Sequence, residues 1–217
     1  KKMQNIILAS KSPRRSEILT RLGVEYAIQE SGFDESSIAC VNPRELVEEL
    51  ALQKALAISS EEDALVIGGD TVVSLPAQAG MNGEILGKAH SEDEAREILL
   101  KLIGKSHEVV TGVAVVDSLT GERAVGSAVG EGRFRDVSEQ ELTQYITDGK
   151  WKGFAGCYAI QGGAKEWVME QTGVFSAIIG MPVVLTAQLL EEMGVVIEVD
   201  PKQVEIEIIG EKIGLEE

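Results

Sequence analysis

Apolar residues come in short bursts along this chain, and the spacing inside each burst predicts an element. Asn5–Ala9 is a near-continuous apolar run of strand length. Ser12 then stands as a cap with Pro13 at the first helical position, where a missing N–H costs nothing. That helix should run to about Leu22 and stop at Gly23. Tyr26–Gln29 reads as a short strand and "SGFDESS" as a polar loop. In "NPRELVEELALQKALAIS" Asn42 caps, Pro43 starts, Glu45 completes a capping box, and Leu46, Leu50 and Leu56 recur at helical spacing. "ALVIGGD" is a β-rich run ending in two glycines and an aspartate, and "MNGEILGK" is turn-rich. Two further capping boxes, "SEDE" and "SEQE", open helices over Ser91–Ile103 and Ser138–Thr147, closed by Gly104 and Gly149. Between them "HEVVTGVAVVD" and "ERAVGSAVGEGRFRDV" flank Thr120-Gly121 and predict a hairpin. "CYAIQGGAKEWVMEQ" reads as sheet with a glycine break, "PVVLTAQLLEEM" as a helix ended by Gly194, and "VVIEVD" and "VEIEII" as late strands. Helices and strands alternate but hairpins interrupt them, so the expected fold is α/β with a mixed twisted sheet flanked by helices.

Composition narrows the class. A chain of 217 residues with 44% hydrophobic and 26% charged side chains suits one soluble α/β domain, or one domain with two lobes. The net charge of −16 argues against coating a nucleic acid or an anionic membrane. That charge is uneven: residues 1–24 hold six cations against Glu17 alone, a local +5, which leaves −21 for the rest. A basic island in an acidic chain suits a compact anion. Cys40 and Cys157 lack metal-type spacing and read as packing residues or free thiols. No signal peptide is visible, so a cytoplasmic setting is the default expectation. The uncharged stretch Gln171–Leu190 has the length of a membrane span but is broken by Gly180-Met181-Pro182, which favours a strand or loop followed by a helix.

The strand–turn–helix "ILASKSPRRSEIL" is the best physical candidate for a site. A helix N-terminus offers N–H groups to an anion; Ser10 and Ser12 add hydroxyls, and Arg14 and Arg15 add guanidinium forks. A capped surface helix with two solvated arginines is the alternative. No Walker loop occurs. Asp70 is expected at the carboxyl end of its strand, where α/β ligands gather, with Gly68 and Gly69 allowing close approach of substrate. A turn aspartate is the competing reading. Lys54 and Lys88 are surface lysines in most proteins, and Asp34-Glu35 is either a hard-metal pair or simply solvated. His107 suits a structural hydrogen bond, Gln161 can read a base edge or satisfy backbone, and Trp151 and Trp167 suit packing.

Seven stretches in order, "LASKSPRRSEIL", "LALQKALA", "GGDTVV", "ILGKA", "SHEVVTGVAVV", "GCYAIQG" and "IIGMPV", resemble the Maf family of nucleotide pyrophosphatases. They span about Ile6 to Val184. The resemblance implies a cytosolic, two-lobed α/β fold with a central cleft, in a family that often forms dimers, so a homodimer is among the expectations. It sets a Maf-like domain over 3–197 and an acidic C-terminal extension over 198–217. The implied reaction cleaves a nucleoside triphosphate between its α and β phosphates, with Mg²⁺ or Mn²⁺, and involves no nucleic-acid polymer and no membrane. By this resemblance Asp70 accepts the proton of the attacking water, and Arg14, Thr71 and Gln161 fall at specificity positions. Ser10, Arg15, Lys54 and Lys88 match polar and cationic cleft residues; Glu35, and Asp70 itself, match acidic positions that could meet the metal.

One branch of the family prefers thymidine and uridine triphosphates, and another takes 7-methylguanosine triphosphate, with glutamine after the aspartate and glutamate in the "IQG" position. Thr71 and Gln161 make this chain similar to the pyrimidine branch. Rival readings are a purine-directed or broad housekeeping pyrophosphatase, a nucleotide-binding regulator of cell division without turnover, and a purely structural α/β domain. Two departures stand out. The family usually has lysine before "AG" in "KAGxYxIQG", where this chain has Phe154, with Lys152 as a substitute cation; and the tail from Glu191 holds nine acids and two lysines with no function attached.

Overall fold

The computed structural model describes residues 5–58, 63–77, 83–160 and 162–211. One mixed sheet organises them, in the order β2-β1-β3-β5-β6-β7, with β4 also on β3. The strands are β1 (Asn5–Leu8), β2 (Ala27–Ile28), β3 (Ala64–Leu75), β4 (Glu84–Leu86), β5 (Ser106–Asp117), β6 (Arg123–Phe134) and β7 (Val168–Gly173). β1 lies parallel to β2 and β3, and all other pairings are antiparallel. Helices α1 (Pro13–Arg21), α2 (Pro43–Ala57), α3 (Glu92–Leu102), α4 (Glu139–Thr147), α5 (Phe175–Ile179), α6 (Val183–Glu192) and α7 (Pro201–Glu211) complete it. The three helix starts fall where the sequence sets them: Asn42, Ser91 and Ser138 each accept first-turn N–H groups, and at Ser138 the box is complete, with Glu141 accepting the Ser138 N–H in return. No helix among the described residues is long and apolar enough to cross a membrane. The uncharged stretch indeed divides into β7, α5 and α6.

Alternation along β3 sorts the layers. Leu65, Ile67 and Val73 face the main core with α1, α3, α4, α5, α6 and α7, whereas Val66 and Val72 face α2 on the other side. α2 sits unusually deep. A Cβ on Gly68 would lie 2.0 Å from the Ala51 carbonyl oxygen, and one on Gly112 would lie 2.3 Å from that of Val47. The two-lobed shape follows from the edge of β3. β1 pairs with it only as far as Ile67, and β4 takes up the same side from Val73, while β5 runs along the other side from Leu65 to Ser74. Residues 68–72 therefore border a notch between the lobes, where the cleft opens.

Three expectations need correction. β3 does not end at Asp70, because the β-branched "TVV" carries it on to Leu75, so Asp70 is mid-strand. "CYAIQGGAKEWVMEQ" is strand only over β7; Ala155–Cys157 and Lys165–Trp167 are 3₁₀ turns. The late strands are absent: 195–199 has no regular structure, and "VEIEII" lies in α7, which buries Val204 and Ile208 in the core and leaves Ile206 out.

Candidate active site

A cavity of about 310 Å³ fills the notch. Ser10, Arg14, Arg15, Glu35, Lys54, Asp70, Thr71 and Lys88 all line it, joined by Lys11, Ser12 and Phe154. Gln161 lies outside the described residues. Five cations meet three carboxylates in this lining, so a chain of net −16 presents a locally positive hollow.

Asp70 and Thr71, being adjacent in a strand, point to opposite faces, and the open edge of β3 lets one cavity reach both. On the α2 side, the close approach at Gly68 and Gly112 brings buried Lys54 to Asp70. Lys54 Nζ lies 2.6 Å from Asp70 Oδ1 and 2.8 Å from Glu35 Oε1. Glu35 opens a 3₁₀ turn whose cap is Asp34, which accepts from the Ser36 amide. The adjacent acids thus divide: Asp34 serves the turn and Glu35 the cleft. Burial opposes ionisation of Glu35, but hydrogen bonding to Lys54 and the charges of Lys54, Lys88 and Arg15 outweigh it and hold its carboxyl below the usual range.

On the α1 side, Arg15 is fixed at all three nitrogens. Nε donates to the Gly180 carbonyl at 2.9 Å, Nη1 to Ser10 Oγ at 3.1 Å and Nη2 to Thr71 Oγ1 at 3.3 Å. Gly69 hosts this side chain rather than substrate, since a Cβ there would meet Arg15 Nε at 3.2 Å. Gly68 likewise hosts α2, so neither glycine serves the approach the sequence suggests. Ser12 makes no side-chain cap; its own N–H instead donates to Ser10 Oγ at 3.2 Å. Arg14 makes no hydrogen bond to the described residues and lies over the Phe154 ring, 4.9 Å from its centroid. Burial, then the neighbouring Arg15 charge, lowers the Arg14 pKa from its ordinary value. Lys152 is not a substitute for the missing lysine: it lies over Trp151, 5.8 Å from the ring, outside the lining.

Other candidates are structural. His107 is buried, with Nε2 2.7 Å from the Tyr158 hydroxyl, in an aromatic cluster with Phe134. Trp151 and Trp167 are buried. Sequence reasoning missed Thr111 and Gly180. Thr111 Oγ1 lies 2.8 Å from Thr71 Oγ1 and donates to the Ala177 carbonyl. The signal was present, for a hydroxyl inside an apolar strand needs a partner.

A metal would find Glu35 and Asp70, two carboxylates that converge on one ammonium. No group of three or more His, Cys, Asp or Glu side chains among the described residues could hold an ion. This donor set fits a hard divalent cation that shares oxygens with a phosphate-bearing ligand.

Fold and cleft define an α/β protein with a cationic hollow beside a lysine-paired aspartate. The chain belongs to the family of Maf-like proteins, whose model matches residues 5–193. It is 39% identical over 193 residues to a dTTP/UTP pyrophosphatase of Pelotomaculum thermopropionicum, covering 88% of this chain and 98% of that one. A dTTP/UTP pyrophosphatase of Desulforamulus reducens is 39% identical over 194 residues, covering 89% and 98%. A HAM1 protein of Coxiella burnetii aligns at 13% identity and a TM-score of 0.45, covering 96% of this chain and all of that one, too remote to bear on function.

Proposed function

We propose that this protein hydrolyses nucleoside triphosphates, with dTTP, UTP and modified uridine triphosphates favoured, to monophosphate and pyrophosphate. The observation that carries the reading is the pairing of Asp70 with Lys54 at the open edge of β3, facing the arginine-lined turn across one cavity. Names of relatives 39% identical over most of both chains support the nucleotide class and its pyrimidine preference.

In this mechanism Arg14, Lys88 and the first turn of α1 bind phosphate oxygens, and Ser10 and Arg15 hold that turn in place. Asp70 takes a proton from a water whose oxygen attacks the α phosphorus; the bond to the α–β bridging oxygen breaks and pyrophosphate leaves. Lys54 keeps the Asp70 carboxylate oriented, and positioned general bases contribute typically ~10²–10⁴ in rate. Mg²⁺ or Mn²⁺, held by Asp70 and Glu35 with phosphate oxygens, would neutralise triphosphate charge. By the family resemblance Thr71 and Gln161, together with Arg14, take the base-selecting positions, and a neutral amide can both donate to and accept from a uracil edge.

The test is pyrophosphate release from a panel of dTTP, UTP, modified uridine triphosphates, 7-methyl-GTP and ITP, with Mg²⁺ or Mn²⁺. The thymidine and uridine set should lead, and Gln161→Glu should erase that lead. Preference for ITP or 7-methyl-GTP would contradict the pyrimidine assignment, and silence across the panel would contradict turnover.

A further inference from the structure

The acidic C-terminal segment reaches α5, whose C-terminal end lines the cleft, through one carboxylate. Glu205 lies on α7, beyond the residues the family model matches, between Val204 and Ile208, which are buried in the core. Its Oε1 accepts the Ser176 backbone N–H at 3.0 Å, and its Oε2 accepts the Ser176 hydroxyl. Ser176 is fully buried, and its oxygen in turn accepts the Val183 N–H at 2.9 Å, tying the start of α5 to the start of α6. The carboxylate therefore holds Ser176, and the Ser176 oxygen holds the far end of a short connection.

That connection carries two carbonyls that organise the cleft. Gly180, in the left-handed region at φ 115°, accepts Arg15 Nε through its carbonyl oxygen; the Ala177 carbonyl accepts the Thr111 hydroxyl at 2.7 Å. Thr111 has one proton and gives it to Ala177, so the Thr71 hydroxyl must donate to Thr111. The Thr71 oxygen is then left to accept from Arg15 Nη2. Every bond from α5 to the arginine has one direction, and the frame is held at Ser176.

We infer that Glu205 is a positioning residue for the cleft, acting through Ser176 to fix the 176–180 segment that aims Arg15 and orients Thr71. The inference rests on the reading of this cleft as a triphosphate site. The Asp70–Lys54 pair hangs on β3 and α2, on the other face of the sheet, so loss of Glu205 weakens ligand binding more than it slows the chemical step.

Three full-length variants test it: Glu205→Ala, Glu205→Gln and Ser176→Ala. The first readout needs no nucleotide: hydrogen exchange of the Arg15 Nε–H by NMR, assigned with Arg15→Lys. It should accelerate at least about tenfold in Glu205→Ala and much less in Glu205→Gln, which keeps an acceptor for the Ser176 N–H. The second is the Kd for α,β-methylene-dTTP, expected to rise about tenfold in Glu205→Ala, while kcat on dTTP stays within about threefold of wild type. If Glu205→Ala does not fold, Ser176→Ala removes the hydroxyl limb together with the acceptor of the Val183 N–H, leaves the Ser176 N–H on Glu205, and carries the same comparison. Unchanged Arg15 exchange in a folded variant overturns the inference, and so does an unchanged Kd. A wild type that binds the analogue but releases no pyrophosphate, with both changes still seen, sinks the catalytic reading and leaves the positioning role standing.

Discussion

Arg14 and Arg15 are neighbours with different duties. Arg15 is bound to Gly180, Ser10 and Thr71 and contributes a fixed positive field, whereas Arg14 rests on Phe154 with its donors uncommitted among the described residues. Of the two, Arg14 has the fork to offer a phosphate. Phe154, where the family resemblance sets a lysine, instead offers a ring that holds the Arg14 cation. A partly desolvated cation–π contact is worth about 1 kcal/mol, so Phe154→Ala should raise KM for the triphosphate about fivefold and leave kcat nearly unchanged. Steady-state kinetics on dTTP check this; a large fall in kcat with unchanged KM would assign Phe154 to the chemical step instead.

At the scale of elements, α2 sets the distance between Lys54 and Asp70 because it rests directly on strand backbone. Gly68→Ala would drive a methyl group into the Ala51 carbonyl, 2.0 Å away, and force α2 outward. The expected cost is about 3 kcal/mol of unfolding free energy in urea, accompanied by a fall in kcat as Lys54 leaves Asp70. Stability unchanged from wild type would contradict the close contact. Helix α2 itself was plain from its cap and spacing, as were α3, α4 and the β5–β6 hairpin, since local signals define them. α7 was misread because Val204, Ile206 and Ile208 alternate as in a strand. Burial of only Val204 and Ile208 reveals a helical period, and Asp200, accepting from the Lys202 amide ahead of α7, was the start signal overlooked. In the cavity, the candidate residues other than Gln161 were legible as lining, but not their joining. The notch depends on where β1 stops and β4 begins on one edge of β3, and the Thr71–Thr111–Ala177 relay on registers between distant segments. No local pattern encodes either.

For the whole molecule, the surface is acidic and the hollow basic, so substrate binding should weaken as salt screens the cleft. Stability has its own pH dependence. Burial pushes the His107 pKa down to about 4 from its ordinary 6.5. The unfolded chain therefore gains a proton below pH 6.5 that the native protein refuses until about pH 4. His107 stability is complete above the higher value and is lost as pH falls between the two, by up to about 3 kcal/mol. Urea unfolding of wild type and His107→Gln at matched pH isolates this contribution from the carboxylates. The gap between them should narrow from pH 7 to pH 4, and a constant gap would contradict a neutral buried imidazole.

The most direct measurement is pyrophosphate release from dTTP and UTP by wild type and Asp70→Asn, with binding of α,β-methylene-dTTP measured in parallel. Asparagine keeps the shape of Asp70 and removes its proton affinity. Turnover should fall about 10³-fold or more in a folded protein that still binds the analogue. Near wild-type turnover by Asp70→Asn would contradict the proposed mechanism at its centre.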